Sequence, residues 1–149
     1  MSDITTVILA AGNSKRLKAS KSKLVYPLCG LPIVSHIFNI AKKISGKNIL
    51  IVCNQKNKEE LKLILNTSKL VVQKKQKGTA DAIEQVKKYV KSKNILILFG
   101  DTPLVEVKDI RKLVSKFKKS KAKASLIAFN TLEPHGYGRL LLNNNCLLY

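Results

Sequence analysis

The stretch Thr6-Val7-Ile8-Leu9-Ala10-Ala11-Gly12-Asn13-Ser14-Lys15-Arg16, with Lys23 seven residues further on, joins a short apolar run to a loop of small and cationic residues. Thr6 to Ala10 is β-branched at its start and apolar beyond it, which reads as a central parallel strand covered on both faces. The chain then turns at Gly12, and ligands of parallel sheets gather where such strands end. Ala10 and Ala11 leave room for a flat base against the backbone. Gly12 lets main-chain N–H groups approach phosphate oxygens without a Cβ in the way. Arg16 and Lys23 supply charge. The plain alternative is a strand-to-helix turn with solvated lysines, so the reading depends on what else falls at the same sheet edge.

Outward from this stretch, strand and helix patterns alternate with short connections. Ile33 to Ile44 puts Ile33, Ile37, Ile40, Ala41 and Ile44 on one helical face, and Asn48 to Cys53 is a second apolar strand. The spacing then predicts a helix over Lys58 to Leu65, a strand over Lys69 to Gln73, a helix over Thr79 to Val90 and a strand over Asn94 to Phe99. A helix over Lys108 to Phe117 and a strand over Lys123 to Phe129 complete the series. This order calls for an α/β domain over residues 1–149, with a three-layer, Rossmann-like, mostly parallel sheet and helices on both faces.

Three further segments fall at strand ends. Gln73-Lys74-Lys75-Gln76-Lys77-Gly78-Thr79 closes a strand with an amide that both donates and accepts, then opens a helix whose first N–H groups are free. Such an amide matches a pyrimidine's carbonyl and imide N–H; a capped helix start with a solvated Gln is the bland alternative. In Phe99-Gly100-Asp101-Thr102-Pro103 an acidic residue follows a strand and a glycine and precedes a proline that fixes the turn. Asp101 is thereby the expected ligand for Mg²⁺, which takes hard oxygens from one or two carboxylates plus phosphates and water. His135-Gly136-Tyr137-Gly138-Arg139 lets the backbone run close beside a ligand, and neither His135 nor His36 has triad or metal partners in the sequence.

Composition bounds the rest. The 149 residues suit one core, no apolar run approaches the ~20 residues that span a bilayer, and Met1-Ser2-Asp3 opens no signal-like segment. The expectation is a cytoplasmic protein without a membrane partner. Cys29, Cys53 and Cys146 show no C-x-x-C spacing, which supports neither a disulfide framework nor a zinc site. The formal charge of +19 invites a nucleic-acid reading. The lysines, however, are spread along nearly every predicted helix and loop, and the few aromatics do not interleave with them, so nucleic acid is not the expected partner.

The order of small residues, arginine and lysine in the first loop resembles the signature of the sugar-nucleotide and related nucleotidyltransferases, whose common form is L-A-A-G-x-G-x-R followed by P-K. Here Ser14 stands at the second glycine and Ser22 at the proline. A G-x-S-x-R loop is shared with the molybdopterin nucleotidyltransferase branch. Taken in order, Leu28-Cys29-Gly30-Leu31-Pro32, Gln73 with Gly78-Thr79-Ala80, Gly100-Asp101-Thr102-Pro103-Leu104 and Gly136-Tyr137-Gly138-Arg139 resemble the pyrophosphorylase domain of bacterial N-acetylglucosamine-1-phosphate uridylyltransferases. The similarity covers essentially the whole chain. It implies the nucleotide-diphospho-sugar transferase fold. It further implies that Leu9, Ala11, Gly12, Gln73, Gly78 and Thr79 contact the uridine nucleotide, with Ala10 and Gly100 beside them. Arg16 and Lys23 would face the triphosphate, Asp101 the Mg²⁺ and Gly138 the sugar. The implied reaction is attack of a sugar 1-phosphate on the α-phosphorus of UTP with release of pyrophosphate, as in peptidoglycan precursor synthesis.

After Arg139, Leu140 to Tyr149 reads as a hairpin around a polar Asn turn. The resembled domain continues past this point to further sugar and metal ligands, so a truncated product or fragment, incomplete at its carboxyl terminus, is expected. Its last strand would be an open edge suited to a second copy or another partner. Three readings stay open: a uridylyltransferase or related nucleotidyltransferase, a nucleotide-holding fragment without turnover, and a basic nucleic-acid-binding protein.

Overall fold

The first strand, β1 (Ile4–Leu9), forms because its residues are apolar or β-branched on both sides of the pleat, and Ile4 to Ile8 are all buried. The computed structural model describes residues 3–12, 21–66, 69–143 and 146–147. After β1 come a 3₁₀ turn (Lys23–Val25), the short antiparallel pair β2 (Pro27–Leu28) and β3 (Leu31–Pro32), and helix α1 (Ile33–Ser45). Then follow β4 (Ile49–Cys53), α2 (Lys58–Ile64), β5 (Lys69–Val72), α3 (Thr79–Val86), β6 (Asn94–Phe99) and α4 (Val107–Lys119). A small hairpin of β7 (Leu142–Asn143) and β8 (Cys146–Leu147) closes the series.

The main sheet is parallel, in the order β5-β4-β1-β6. This is the expected three-layer α/β architecture, with the decisive strand between two neighbours. One face packs Ile8, Ile51, Leu96 and Leu98 against Val34, Ile37 and Ala41 of α1, Leu61 of α2 and Ile110 of α4. The other packs Val7, Leu50 and Val52 against Ala82 and Val86 of α3. Alternate residues of β1 and β4 therefore enter different cores, which is why these strands read as continuous apolar runs.

Two expectations need correction. The helix from Thr79 stops at Val86 and tightens into a 3₁₀ turn over Lys87–Tyr89, so it does not run to Val90. Lys123 to Phe129 forms no strand. Leu126, Ile127 and Phe129 are exposed, and so are Ile95 and Phe99 on the uncovered face of β6. No described helix walls that face, so a strand added there would bury only one side, whereas parallel strands are normally covered on both. The expected terminal hairpin is present as β7 and β8, its Asn144 and Asn145 lying outside the described residues. Among the described residues no helix is long and apolar enough to cross a membrane.

Candidate functional site

The carboxyl ends of β1, β5 and β6 converge on a cleft of about 320 Å³. Leu9, Ala10, Ala11 and Gly12 line it from β1, Lys23 and Leu24 from the 3₁₀ turn, Gln73, Gln76, Gly78, Thr79 and Ala82 from the β5–α3 segment, and Phe99 and Asp101 from the end of β6. Nine residues singled out from the sequence therefore line one cleft: Leu9, Ala10, Ala11, Gly12, Lys23, Gln73, Gly78, Thr79 and Asp101. Gly100 supports it from behind. Its N–H extends the sheet by donating to the Leu9 carbonyl at 2.9 Å, and a Cβ there would stand 3.1 Å from that same oxygen. Arg16 lies outside the described residues. Gly138 is exposed and is not among the residues lining the cleft.

The loop after β1 is shaped from behind by two buried asparagines. Asn57 Nδ2 donates to the Ala10 carbonyl at 2.8 Å and Asn54 Nδ2 to the Ala11 carbonyl at 3.0 Å. Each of these side chains also accepts the other residue's backbone N–H through its Oδ1, at 2.9 and 3.0 Å. This reciprocal pair fixes the carbonyls on the far side of the loop. From the cleft side, Gln76 Nε2 donates to the Ala11 carbonyl at 2.6 Å. The sequence reading missed both asparagines. An Asn-x-x-Asn directly after an all-buried strand was the available signal, since buried amides must find partners.

Across the cleft, Lys23 Nζ donates to Asp101 Oδ2 at 2.5 Å, both side chains more than a third exposed. Ser22, standing where the resembled motif carries proline, holds the turn that presents Lys23 by accepting the Leu24 N–H at 3.4 Å. Ser22 thus replaces proline's rigid φ with a side-chain cap. The third wall is the start of α3. Gly78 holds φ at +103°, a conformation that favours glycine, and no side chain caps the helix there. Gln73 ends its strand with its N–H on the Cys53 carbonyl (2.8 Å), while its Nε2 donates to the Gly78 carbonyl (3.2 Å) and to Asp81 Oδ2 (2.6 Å).

Small residues, an amide, a lysine paired with a carboxylate and an uncapped helix start line the same cleft. Free helix-start N–H groups and small-residue turns are features that accept anionic groups. Among the described residues no three His, Cys, Asp or Glu side chains come together as a metal cage. Asp101 is a hard carboxylate oxygen at the cleft mouth, which fits an ion held chiefly by substrate phosphates and water. His36 serves the scaffold, donating from Nε2 to the Leu28 carbonyl at 2.8 Å.

Known proteins resemble this chain in sequence and in fold. The family described as MobA-like NTP transferase domain matches residues 6–146. The bifunctional protein GlmU of Buchnera aphidicola subsp. Schizaphis graminum is 40% identical over 144 residues, which cover 95% of this chain and 31% of that protein. The chain thus spans about a third of the length of that relative. Bifunctional IspDF from Campylobacter jejuni superposes with a TM-score of 0.67 at 16% identity, over 98% of this chain and 37% of that one. CMP:2-keto-3-deoxy-manno-octonic acid synthetase, solved with CTP, gives a TM-score of 0.67 at 20% identity, over 80% of this chain and 48% of that one. The fold is that of the nucleotide-diphospho-sugar transferases.

Proposed function

Because this chain belongs to the MobA-like NTP transferase family, we propose that it transfers a uridylyl group from UTP to a sugar 1-phosphate, N-acetylglucosamine 1-phosphate in the first place, releasing pyrophosphate. The observation that carries this reading is the meeting of Leu9–Gly12, Lys23, Gln73–Thr79 and Asp101 around one cleft. A phosphate oxygen of the sugar phosphate bonds to the α-phosphorus of UTP as the bond from that phosphorus to the pyrophosphate oxygen breaks. The attacking phosphate is already a nucleophile, so no covalent enzyme intermediate is needed, and the chain's work is positioning and charge neutralisation.

Ala10, Ala11 and Gln73 hold the base. Gly12, Gly78 and Thr79 offer backbone N–H groups near the phosphates. Asp101 is the residue that would hold Mg²⁺, which when bound neutralises phosphate oxygens. Lys23, which pairs with Asp101, would lend its charge to the departing pyrophosphate, and Arg16 is assigned to the same phosphates. Gly138 is assigned to the sugar. A second reading, nucleotide binding without turnover, draws on one observation: the Gly136–Arg139 segment is exposed and stands apart from the residues lining the cleft.

The test is pyrophosphate release from UTP with N-acetylglucosamine 1-phosphate and Mg²⁺, with UTP binding titrated on the same sample. Lys23→Ala is expected to lower turnover by about a hundredfold, typical of removing one group that stabilises transition-state charge, with a smaller change in UTP affinity. Asp101→Asn should abolish the response to Mg²⁺. Binding without release would select the second reading, and failure of both would leave the fold without either activity.

A further inference from the structure

A carboxamide is two-faced, and which face it shows a ligand is decided by what its other face touches. Gln73 is buried, and both hydrogens of its Nε2 are spent on the Gly78 carbonyl and on Asp81 Oδ2. Neither partner has a hydrogen to return, so the reversed amide would set its oxygen against two oxygens. Chemistry alone therefore orients this side chain. Its Oε1 makes no hydrogen bond among the described residues, yet no buried side-chain oxygen or nitrogen there lacks a partner. The oxygen is consequently open to solvent, in the cleft that Gln73 lines. Asp81 itself does not line the cleft. It sits in the first turn of α3, where the helix dipole favours a carboxylate, and it reaches the ligand space only through Gln73.

We propose that Asp81 is a positioning residue for base selection: together with the Gly78 carbonyl it takes the donor face of Gln73 and opposes its flip, so that the cleft selects bases with a ring N–H. This rests on the nucleotide reading above. Uracil presents a ring N–H at its pairing edge, and so does guanine. Cytosine and adenine present a bare ring nitrogen there, whose lone pair faces the Gln73 oxygen. A site with a fixed hydrogen-bonding group rejects the analogue that leaves that group unpaired.

The test is equilibrium binding of UTP and CTP to the full chain without sugar phosphate, so that the readout is an affinity ratio rather than turnover. The wild-type chain is expected to prefer UTP by about ten- to a hundredfold, the range for one hydrogen bond made or left unmade. Asp81→Asn can donate to Gln73 Oε1, which leaves only the Gly78 carbonyl opposing the turned amide, so the ratio should fall through a gain for CTP as well as a loss for UTP. Asp81→Glu keeps an acceptor-only partner and should preserve the sign of the preference. Urea unfolding of each variant controls for folding. Equal weakening of both nucleotides in Asp81→Asn, with the ratio kept, would mark Asp81 as merely structural and overturn the proposal. If neither nucleotide binds the wild-type chain, the nucleotide reading itself falls and the assignment goes with it; if UTP binds and the ratio ignores Asp81, only the assignment fails.

Discussion

The two ends of the same four strands are pinned by buried polar side chains, but they are finished differently. At the amino edge, Ser45 Oγ donates to Thr6 Oγ1 (2.8 Å), Asn48 Nδ2 to the Ile4 carbonyl (3.0 Å), and the Thr5 and Ser92 hydroxyls pair at 2.7 Å. These bonds close protein on protein. At the carboxyl edge, Asn54 and Asn57 hold the loop carbonyls from behind and leave small side chains, a glycine and an uncapped helix start facing outward. A larger cleft, about 440 Å³, lies at the amino edge among Ile44, Lys43, Arg111, Val114 and Lys118, yet no sequence-predicted site residue reaches it. Volume alone does not mark a site; converging groups with unspent bonding capacity do.

Charge follows the same division. The three crossover helices α1, α2 and α3 run against the strands they join, so their N-termini point to the carboxyl edge, and α4 starts from the turn that follows β6 at that same edge. Glu59, Glu60, Asp81, Glu106 and Asp109 lie there in or beside first turns, and Asp101 stands on the neighbouring turn. Lys42, Lys43, Lys116, Lys118 and Lys119 lie in the last turns of α1 and α4. Each placement suits a helix dipole, and a common helix direction sums them into opposite ends.

The sharpest way to break the comparison is to remove one pin from each edge. Asn57→Ala takes the partner from the Asn54 N–H and from the Ala10 carbonyl, and leaving two buried backbone groups unpaired should cost about 2–4 kcal/mol. Ser45→Ala removes a hydroxyl bond and should cost about 1 kcal/mol. Urea unfolding measures both. Nucleotide affinity should fall only in the first, and equal costs with equal binding effects would erase the distinction between the edges.

A smaller effect is expected where the carboxyl edge is tightest. Gly100→Val places a Cβ 3.1 Å from the Leu9 carbonyl and 3.5 Å from Leu24 Cδ2. The neighbours are a sheet backbone and a packed leucine, so overpacking should cost about 1–3 kcal/mol. Because Asp101 is the next residue, UTP binding in the presence of Mg²⁺ should weaken as well. A variant as stable as the parent, with unchanged binding, would show that this turn has slack.

What could be read from the sequence depended on whether a signal was local. The central strands β1 and β4 announced themselves as apolar runs because both faces are buried, and Gly100-Asp101 because its neighbours fix the turn. The Lys123–Phe129 error came from the same rule. Its apolar run satisfies the pattern, but no described helix covers the exposed face of β6 beside which it would pair, and that is a property of the assembled sheet. Asp81 was visible only as an acid in a helix first turn. Its hydrogen bond to Gln73 joins residues on either side of the turn at Gly78, a contact that no local pattern spells out.

The least effect is expected at Cys53, which ends β4 one residue before the asparagine pair. Burial pushes its thiol above the ordinary value of 9.0, while the charge of Lys58 pulls the other way. A folded-state value above the unfolded one means this group's contribution is fully present below the unfolded value and is lost as pH rises through the folded one. Stability should therefore fall more in the wild-type chain than in Cys53→Ala as pH rises above 9.0. Alkylation followed by mass spectrometry gives an independent check: exposed Cys29 should react in the folded protein and Cys53 only on unfolding. Rapid labelling of Cys53 under native conditions would mean that the end of β4 opens readily, and the clamp that shapes the nucleotide loop would then be dynamic where the comparison of edges requires it to be fixed.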